Sequence, residues 1–199
     1  MAQDIAIADL LTQEGFDTLP AFQTAREVLI GKGLTSARKT NIHVAKLPRV
    51  REVLAGELYR ACSDPLYQTI AKLECGSRQI VTVSSAGCRI CGGKNSQRCL
   101  EAASRLFQQH GICRVVIVGG TNTDHEEIAR QARGKSVEFR FVDGTRAGRA
   151  TQLAEAYIRW ADLVVSNTYT GNRNRAGKVV YANRTGVAAM ISQVARQIA

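Results

Sequence analysis

Hydrophobic positions along the chain follow two regimes that change near residue 75. Up to Leu73 the apolar residues recur at helical spacing, as Leu10, Leu11, Phe16, Leu19, Phe22, Ala25, Val28, Leu29 and Leu34, then Val50, Val53, Leu54, Leu58 and Tyr59. This predicts short helices separated by Gly15, Leu19-Pro20, Gly31 to Gly33 and Pro48, with no strand between Ile5 and Leu73. Pro48 suits the first turn of a helix running from Arg49 to Ala61. From Gln79 onward, short β-branched runs alternate with helical stretches: Ile80, Val81 and Val83; a helix buried along Leu100, Ala103, Leu106 and Phe107; Val115 to Val118; a charged helix; Val137 to Val142; a helix from Arg149 to Ala161; Leu163 to Val165; Lys178 to Ala182; and a last helix through Val187, Met190, Ile191 and Val194. That alternation predicts an α/β fold. A small helical module over 1–74 is followed over 75–199 by a Rossmann-like, mostly parallel sheet with helices on both faces.

Four consecutive β-branched residues, Val115 to Val118, suit a strand buried on both faces. The chain then turns at Gly119-Gly120, and Thr123 with Glu126 has the spacing of a reciprocal capping pair, so a helix is expected to begin there with its N–H groups towards the glycines. Such an end attracts phosphate. The run Gly119, Gly120, Thr121, Asn122, Thr123 lacks the third glycine of a dinucleotide fingerprint and the Lys-Ser/Thr of a P-loop. With Asp143 and Thr168 at the ends of later strands, it defines one functional alternative, a nucleotide-binding sensor or enzyme. A tight strand-to-helix turn, and for Asp143 a turn-forming Asp-Gly, is the plain structural alternative.

Charge changes the picture more than composition does. The formal net charge is +10 with a pI near 9.7. Between Lys32 and Arg51 the chain carries Lys32, Arg38, Lys39, Lys46, Arg49 and Arg51 without an acid, and after Asp162 it carries Arg173, Arg175, Lys178, Arg184 and Arg196, again without one. Two acid-free basic stretches point to a polyanion, DNA or RNA, with a merely solvated basic face as the alternative. Gly33 as a helix stop before Leu34-Thr35-Ser36 suggests a helix-turn-helix whose second helix lies within Ser36 to Ala45; a basic loop is the other reading of that segment. The expected nucleic-acid-binding residues are Arg38, Lys39, His43, Lys46 and Arg49 in the module, and Arg173, Arg175 and Lys178 in the polar tip after Tyr169. That tip, between Tyr169 and Tyr181, is short for a helical crossover and leaves a hairpin as the alternative.

Among six cysteines, Cys88-Arg89-Ile90-Cys91-Gly92-Gly93 has the form of a metal-binding knuckle. Cys62, Cys75, Cys88 and Cys91 are the expected ligands of a closed structural zinc site, with Cys99 the alternative to Cys62; a redox Cys-x-x-Cys and plain buried thiols are the competing readings. No triad or carboxylate pair suggests catalysis, and His43, His110 and His125 have no partner at a recognisable spacing. The first residues, with Asp4 and Asp9 among apolar neighbours, do not read as a signal peptide, and no run spans a bilayer, so a cytosolic protein with reduced or metal-bound cysteines is expected.

Val115-Val116-Ile117-Val118-Gly119-Gly120, Phe141-Val142-Asp143-Gly144, Ala161-Asp162-Leu163-Val164-Val165, Thr168-Tyr169 and Asn183-Arg184-Thr185 together resemble the domain of unknown function 2325 family over about half the chain, from Cys113 onward. The resemblance implies a bacterial Rossmann-like domain and carries over no catalytic residue. The favoured expectation is therefore a non-enzymatic nucleic-acid-binding protein with a structural zinc site, acting alone or as a subunit, with protein partners, of a bacterial antiviral-defence or mobile-element complex.

Overall fold

A computed structural model describes residues 4–93, 95–142, 150–166, 179–182 and 187–198. The chain forms two compact units, Met1–Asn95 and Ser96–Ala199. The division falls after the cysteine knuckle, and not at the change in hydrophobic pattern near residue 75, because the strand that precedes the knuckle pairs backwards into the first unit.

The first unit mixes helices and strands. β1 (Asp4–Ala6) leads into α1 (Ile7–Gln13) and α2 (Leu19–Gly31); β2 (Asn41–His43) and a 3-10 turn, Val44–Lys46, precede α3 (Leu47–Glu57); β3 (Leu58–Ala61), α4 (Pro65–Glu74) and β4 (Gln79–Thr82) follow. β1 pairs antiparallel with β2, setting Asp4 opposite His43, Ile5 opposite Ile42 and Ala6 opposite Asn41. β3 and β4 run parallel, with α4 as the crossover between them. Leu10, Leu11, Leu29, Val50, Leu58, Tyr59, Leu66 and Ile70 are among its buried residues.

Three expectations fail here. The segment Ser36 to Ala45 is not a recognition helix but a turn, the strand β2 and the start of the 3-10 turn, so the expected helix-turn-helix does not form there. Its β-branched positions Thr40, Ile42 and Val44 suit a strand better than a helix, and β1 supplies the partner. The helix expected over 49–61 stops at Glu57, because Leu58 to Ala61 gain a full parallel ladder with Gln79 to Thr82. Strands thus occur where an all-helical module was expected.

The second unit is α/β as expected. α5 (Ser96–Gln109), β5 (Arg114–Val118), α6 (Asn122–Ala132), β6 (Glu138–Val142), α7 (Ala150–Trp160), β7 (Leu163–Ser166), β8 (Val179–Tyr181) and α8 (Val187–Ile198) follow in order. Its sheet has the order β6-β5-β7-β8 with every pair parallel. A two-residue hairpin between β7 and β8 is therefore excluded, since it would set the two strands antiparallel. Val115, Val116 and Ile117 are fully buried, as the unbroken β-branched run requires. α7 packs on β5 and β6, where Tyr157, Ile158 and Trp160 meet Val116, Val142 and Val164; α8 packs on α5, α6 and β7. Chain direction across the sheet reverses at β5, so the gap between β5 and β7 is the switch point of the topology.

Candidate functional site

The β3-α4-β4 unit carries the cysteines to one place. Cys62 follows β3 directly, and its carbonyl accepts the Gln68 side-chain amide at 2.8 Å as Asp64 caps α4 through the Leu66 N–H. Beyond β4 the chain is held by Asp17, whose carboxylate accepts the Ser84 N–H at 2.9 Å and the Ser84 hydroxyl. It then folds into the knuckle. The Cys91 N–H points at the Cys88 Sγ, 3.5 Å away, the Gly92 N–H donates to the Cys88 carbonyl, and Gly92 and Gly93 take positive φ values of 52° and 81°. The Arg89 N–H donates to the Arg60 carbonyl, tying the knuckle to β3.

As a result Cys62, Cys88 and Cys91 place their sulfurs within 4.8 Å of one another, all buried, and could hold a metal ion. The Cys62 and Cys91 sulfurs lie 3.9 Å apart, and no disulfide joins them. Burial first, and then the neighbouring Cys88 and Cys91 sulfurs, push the Cys62 thiol up to about 12. Burial also pushes Cys88 up, but the N–H groups of Cys91, Cys62 and Ile90 aimed at its sulfur outweigh it and hold that thiol below its usual range. The cluster is therefore asymmetric before any ion arrives. Three sulfurs with no carboxylate among them suit a thiophilic metal and not magnesium or calcium.

Cys75 is not brought into this cluster. It sits at the C-terminus of α4 with its sulfur turned to the carbonyls of Lys72 and Gly76, at 3.6 and 3.5 Å. Cys99 is buried in α5 of the second unit. The Ser85 carbonyl, which accepts from Cys91 Sγ at 3.5 Å and from the Gly93 N–H at 2.8 Å, escaped the sequence reading, since a backbone acceptor leaves no residue signature.

A second feature of the first unit gathers the expected basic residues. Arg38, Lys39, Thr40, Asn41, His43 and Lys46, with Asp4, Leu34 and Ile42, line a concavity of about 390 Å³. Ile42 is buried and anchors β2, so its neighbours Asn41 and His43 project to the exposed side. The Arg26 guanidinium, which sequence reading missed, pins the loop by donating to the carbonyls of Ala37 and Lys39 at 2.9 and 3.1 Å. The His43 Nδ1 accepts the Ala45 N–H at 3.2 Å, leaving Nε2–H as the ring's remaining donor. Arg49 is drawn off into an ion pair with Glu52, Arg51 into one with Glu14, and Lys32 into one with Glu57. Arg38, Lys39 and Lys46 have no ion pair among the described residues.

The glycine loop of the second unit is occupied by its own chain. α6 is capped two residues earlier than expected, by Thr121 and Asp124 in place of Thr123 and Glu126: the Thr121 side chain accepts the Asp124 N–H, and the Asp124 carboxylate accepts the Thr121 N–H. The Gly119 N–H donates to Val142, and the His125 ring, stacked on Phe141 at 4.7 Å, bonds the Gly119 carbonyl at 2.8 Å. Gly120 has φ +92°, and a Cβ there would come within 2.6 Å of Val187 Cγ2. Asn122 and Thr123 open α6 beside the Asp124 carboxylate, which faces the same end an incoming phosphate would use. Asp143, Thr168, Arg173, Arg175 and Lys178 lie outside the described residues.

No family model, curated protein or solved structure matches the chain. No helix among the described residues is long and apolar enough to cross a membrane.

Proposed function

We propose that this chain is a non-enzymatic nucleic-acid-binding protein whose first unit is fastened by a structural zinc ion. The observation that carries the reading is the convergence of Arg38, Lys39 and Lys46, free of ion pairs among the described residues, with His43 on one concavity, while their basic neighbours are ion-paired. Cations left without acidic partners keep their charge for a polyanion, and each phosphate they meet releases condensed counterions. Guanidinium and ammonium groups contact phosphate oxygens, and the Asn41, Thr40 and His43 side chains add neutral donors of the kind that fix register on a strand.

Zinc is supported by size and softness. A tetrahedral ion with metal–sulfur bonds of about 2.3 Å separates its sulfurs by about 3.8 Å. The observed Cys62–Cys91 separation is 3.9 Å. An iron–sulfur cluster would spread its thiolates over separate irons, wider than this cluster allows. Burial of all three sulfurs shields the ion from substrate, and a closed structural site takes a fourth protein ligand beside Cys62, Cys88 and Cys91.

The test is fluorescence anisotropy of the full chain with labelled duplex DNA, single-stranded DNA and RNA across a salt series. Binding that weakens steeply with salt and prefers one form is expected. Absence of binding at low salt refutes the reading.

A further inference from the structure

We infer that the concavity at Arg38, Lys39, His43 and Lys46 is built for a terminal phosphomonoester of a nucleic-acid strand, and not for a phosphodiester along its length. The inference rests on the nucleic-acid reading above and names the part of the strand that this site takes.

Shape is the first argument. An internal backbone is a convex, continuous track, and proteins that follow it present a row or groove of cations open at both ends. Here the basic residues line a pocket of about 390 Å³. That volume has room for a phosphate and one nucleoside, with the basic wall exposed to solvent and Leu34 and Ile42 at its base. A chain end, with its last nucleotide, is the part of a strand that fits into such a hollow.

Charge is the second. Arg38, Lys39 and Lys46 set three cations against the single carboxylate of Asp4 around the pocket, so two positive charges stay uncompensated. A phosphomonoester carries about −1.5 to −2 at pH 7, whereas a diester carries a single negative charge. One monoester brings that charge on a single phosphate, where a backbone would need two successive diesters. A bare polyanion track would gain nothing from Asp4, which stands opposite His43 across the β1–β2 ladder. In a pocket that also holds the terminal nucleoside, a carboxylate accepts a sugar hydroxyl or a base amino group, as acidic residues do in nucleotide sites.

Preorganisation is the third. The loop that carries Arg38 and Lys39 is tied down by Arg26 at Ala37 and Lys39, by the Lys39 N–H to Ser36, and by the Ile7 N–H to Thr40. The His43 ring is set by its Nδ1 bond to the Ala45 N–H, so its free Nε2–H is a fixed neutral donor lining the pocket. The backbone that carries the cations is thus held in place, while the exposed Arg38, Lys39 and Lys46 side chains keep their rotamer freedom until phosphate orders them.

The experiment compares oligonucleotides of one sequence bearing a 5′-phosphate, a 3′-phosphate or hydroxyls at both ends, by anisotropy at fixed salt, with the full chain and with Lys39→Gln and Lys46→Gln. Nucleoside monophosphate and inorganic phosphate serve as competitors. At least about tenfold tighter binding of one phosphorylated end is expected, reduced towards the hydroxyl-ended value in each variant. Competition by the monophosphate at low concentration would show that a free nucleotide can fill the same pocket and would support the site; it leaves the strand as ligand only where the oligonucleotide binds more tightly than the monophosphate. Equal, salt-sensitive binding of all three strands overturns this inference while leaving the nucleic-acid reading intact. A phosphate preference that survives both substitutions overturns it too, by placing the end site elsewhere. No binding of any strand at low salt overturns both. Lys39 and Lys46 are exposed, so circular dichroism of the variants is expected to match the parent chain.

Discussion

Replacing Cys91 by serine tests the metal centre most sharply. Cys91 is fully buried, lies 3.9 Å from the Cys62 sulfur and donates its N–H to Cys88, so it belongs to the site on two counts. A ligand present at a hundred times its dissociation constant stabilises the folded state by about 2.7 kcal/mol. For a unit the size of Met1–Asn95, each kcal/mol moves the midpoint by about 4–8 °C. Loss of the ion should therefore lower the melting temperature of the first unit by roughly 10–20 °C. The assay is elemental analysis of the purified chain beside calorimetry with and without a strong chelator. Parent protein should carry one zinc per chain; Cys91→Ser should carry none, melt close to the chelated parent and no longer respond to chelator. Cys75→Ser is the internal control, since the Cys75 sulfur faces the Lys72 and Gly76 carbonyls, and it should keep the full zinc content. A parent chain that contains no metal after growth with zinc, or that melts identically in chelator, would refute the reasoning.

Other consequences follow from local geometry. Gly120→Ala should destabilise the second unit by about 2 kcal/mol or more, because it sets a Cβ on positive-φ backbone and within 2.6 Å of Val187 Cγ2; chemical denaturation measures this, and a neutral result would contradict the packed loop. The side-chain hydrogen bond from Arg114, helped by the N–H groups of Cys113 and Arg114, lowers the Asp162 carboxyl from 3.8 to about 2. Because the folded-state value is the depressed one, that stabilisation is present above about pH 4 and is lost as pH falls towards 2. Discounted for partial exposure it amounts to about 1–2 kcal/mol, so Asp162→Asn should cost that much near pH 6 and almost nothing at pH 2 in denaturant titrations. An equal penalty at both pH values would show that the carboxylate's charge is not what matters.

Patterns with a strong period could be read directly. The helix buried at Leu100, Ala103, Leu106 and Phe107, and the last helix through Val187, Met190, Ile191 and Val194, stand as expected because their apolar stripes repeat over about two turns. Val115 to Val118 had no polar alternation and lies in β5, one of the sheet's two inner strands. Short elements were harder to read. Leu58 to Ala61 continues a helical stripe in sequence, and only the partner strand about twenty residues on makes it β3. Ser63-Asp64-Pro65 was a missed signal: an N-cap acid followed by proline marks the start of α4, and would have ended the preceding helix. At the cysteine cluster the Cys-x-x-Cys-Gly-Gly run marked two of its three members by local spacing. Keeping Cys62 over Cys99, and dropping Cys75 from the expected four, needed the parallel pairing of β3 and β4, which brings Cys62 to the knuckle. His125 looked partnerless because its acceptor, the Gly119 carbonyl, is a backbone atom six residues back.

The central claim, that the unpaired cations of the first unit bind nucleic acid, is tested most directly by the salt slope of binding. For single-stranded nucleic acid the slope of log K against log salt changes by about 0.7 for each phosphate that the protein neutralises. The combined variant Arg38→Gln, Lys39→Gln, Lys46→Gln should bind more weakly than the parent, with a slope shallower by about 2. An unchanged slope and affinity in that variant would contradict the account.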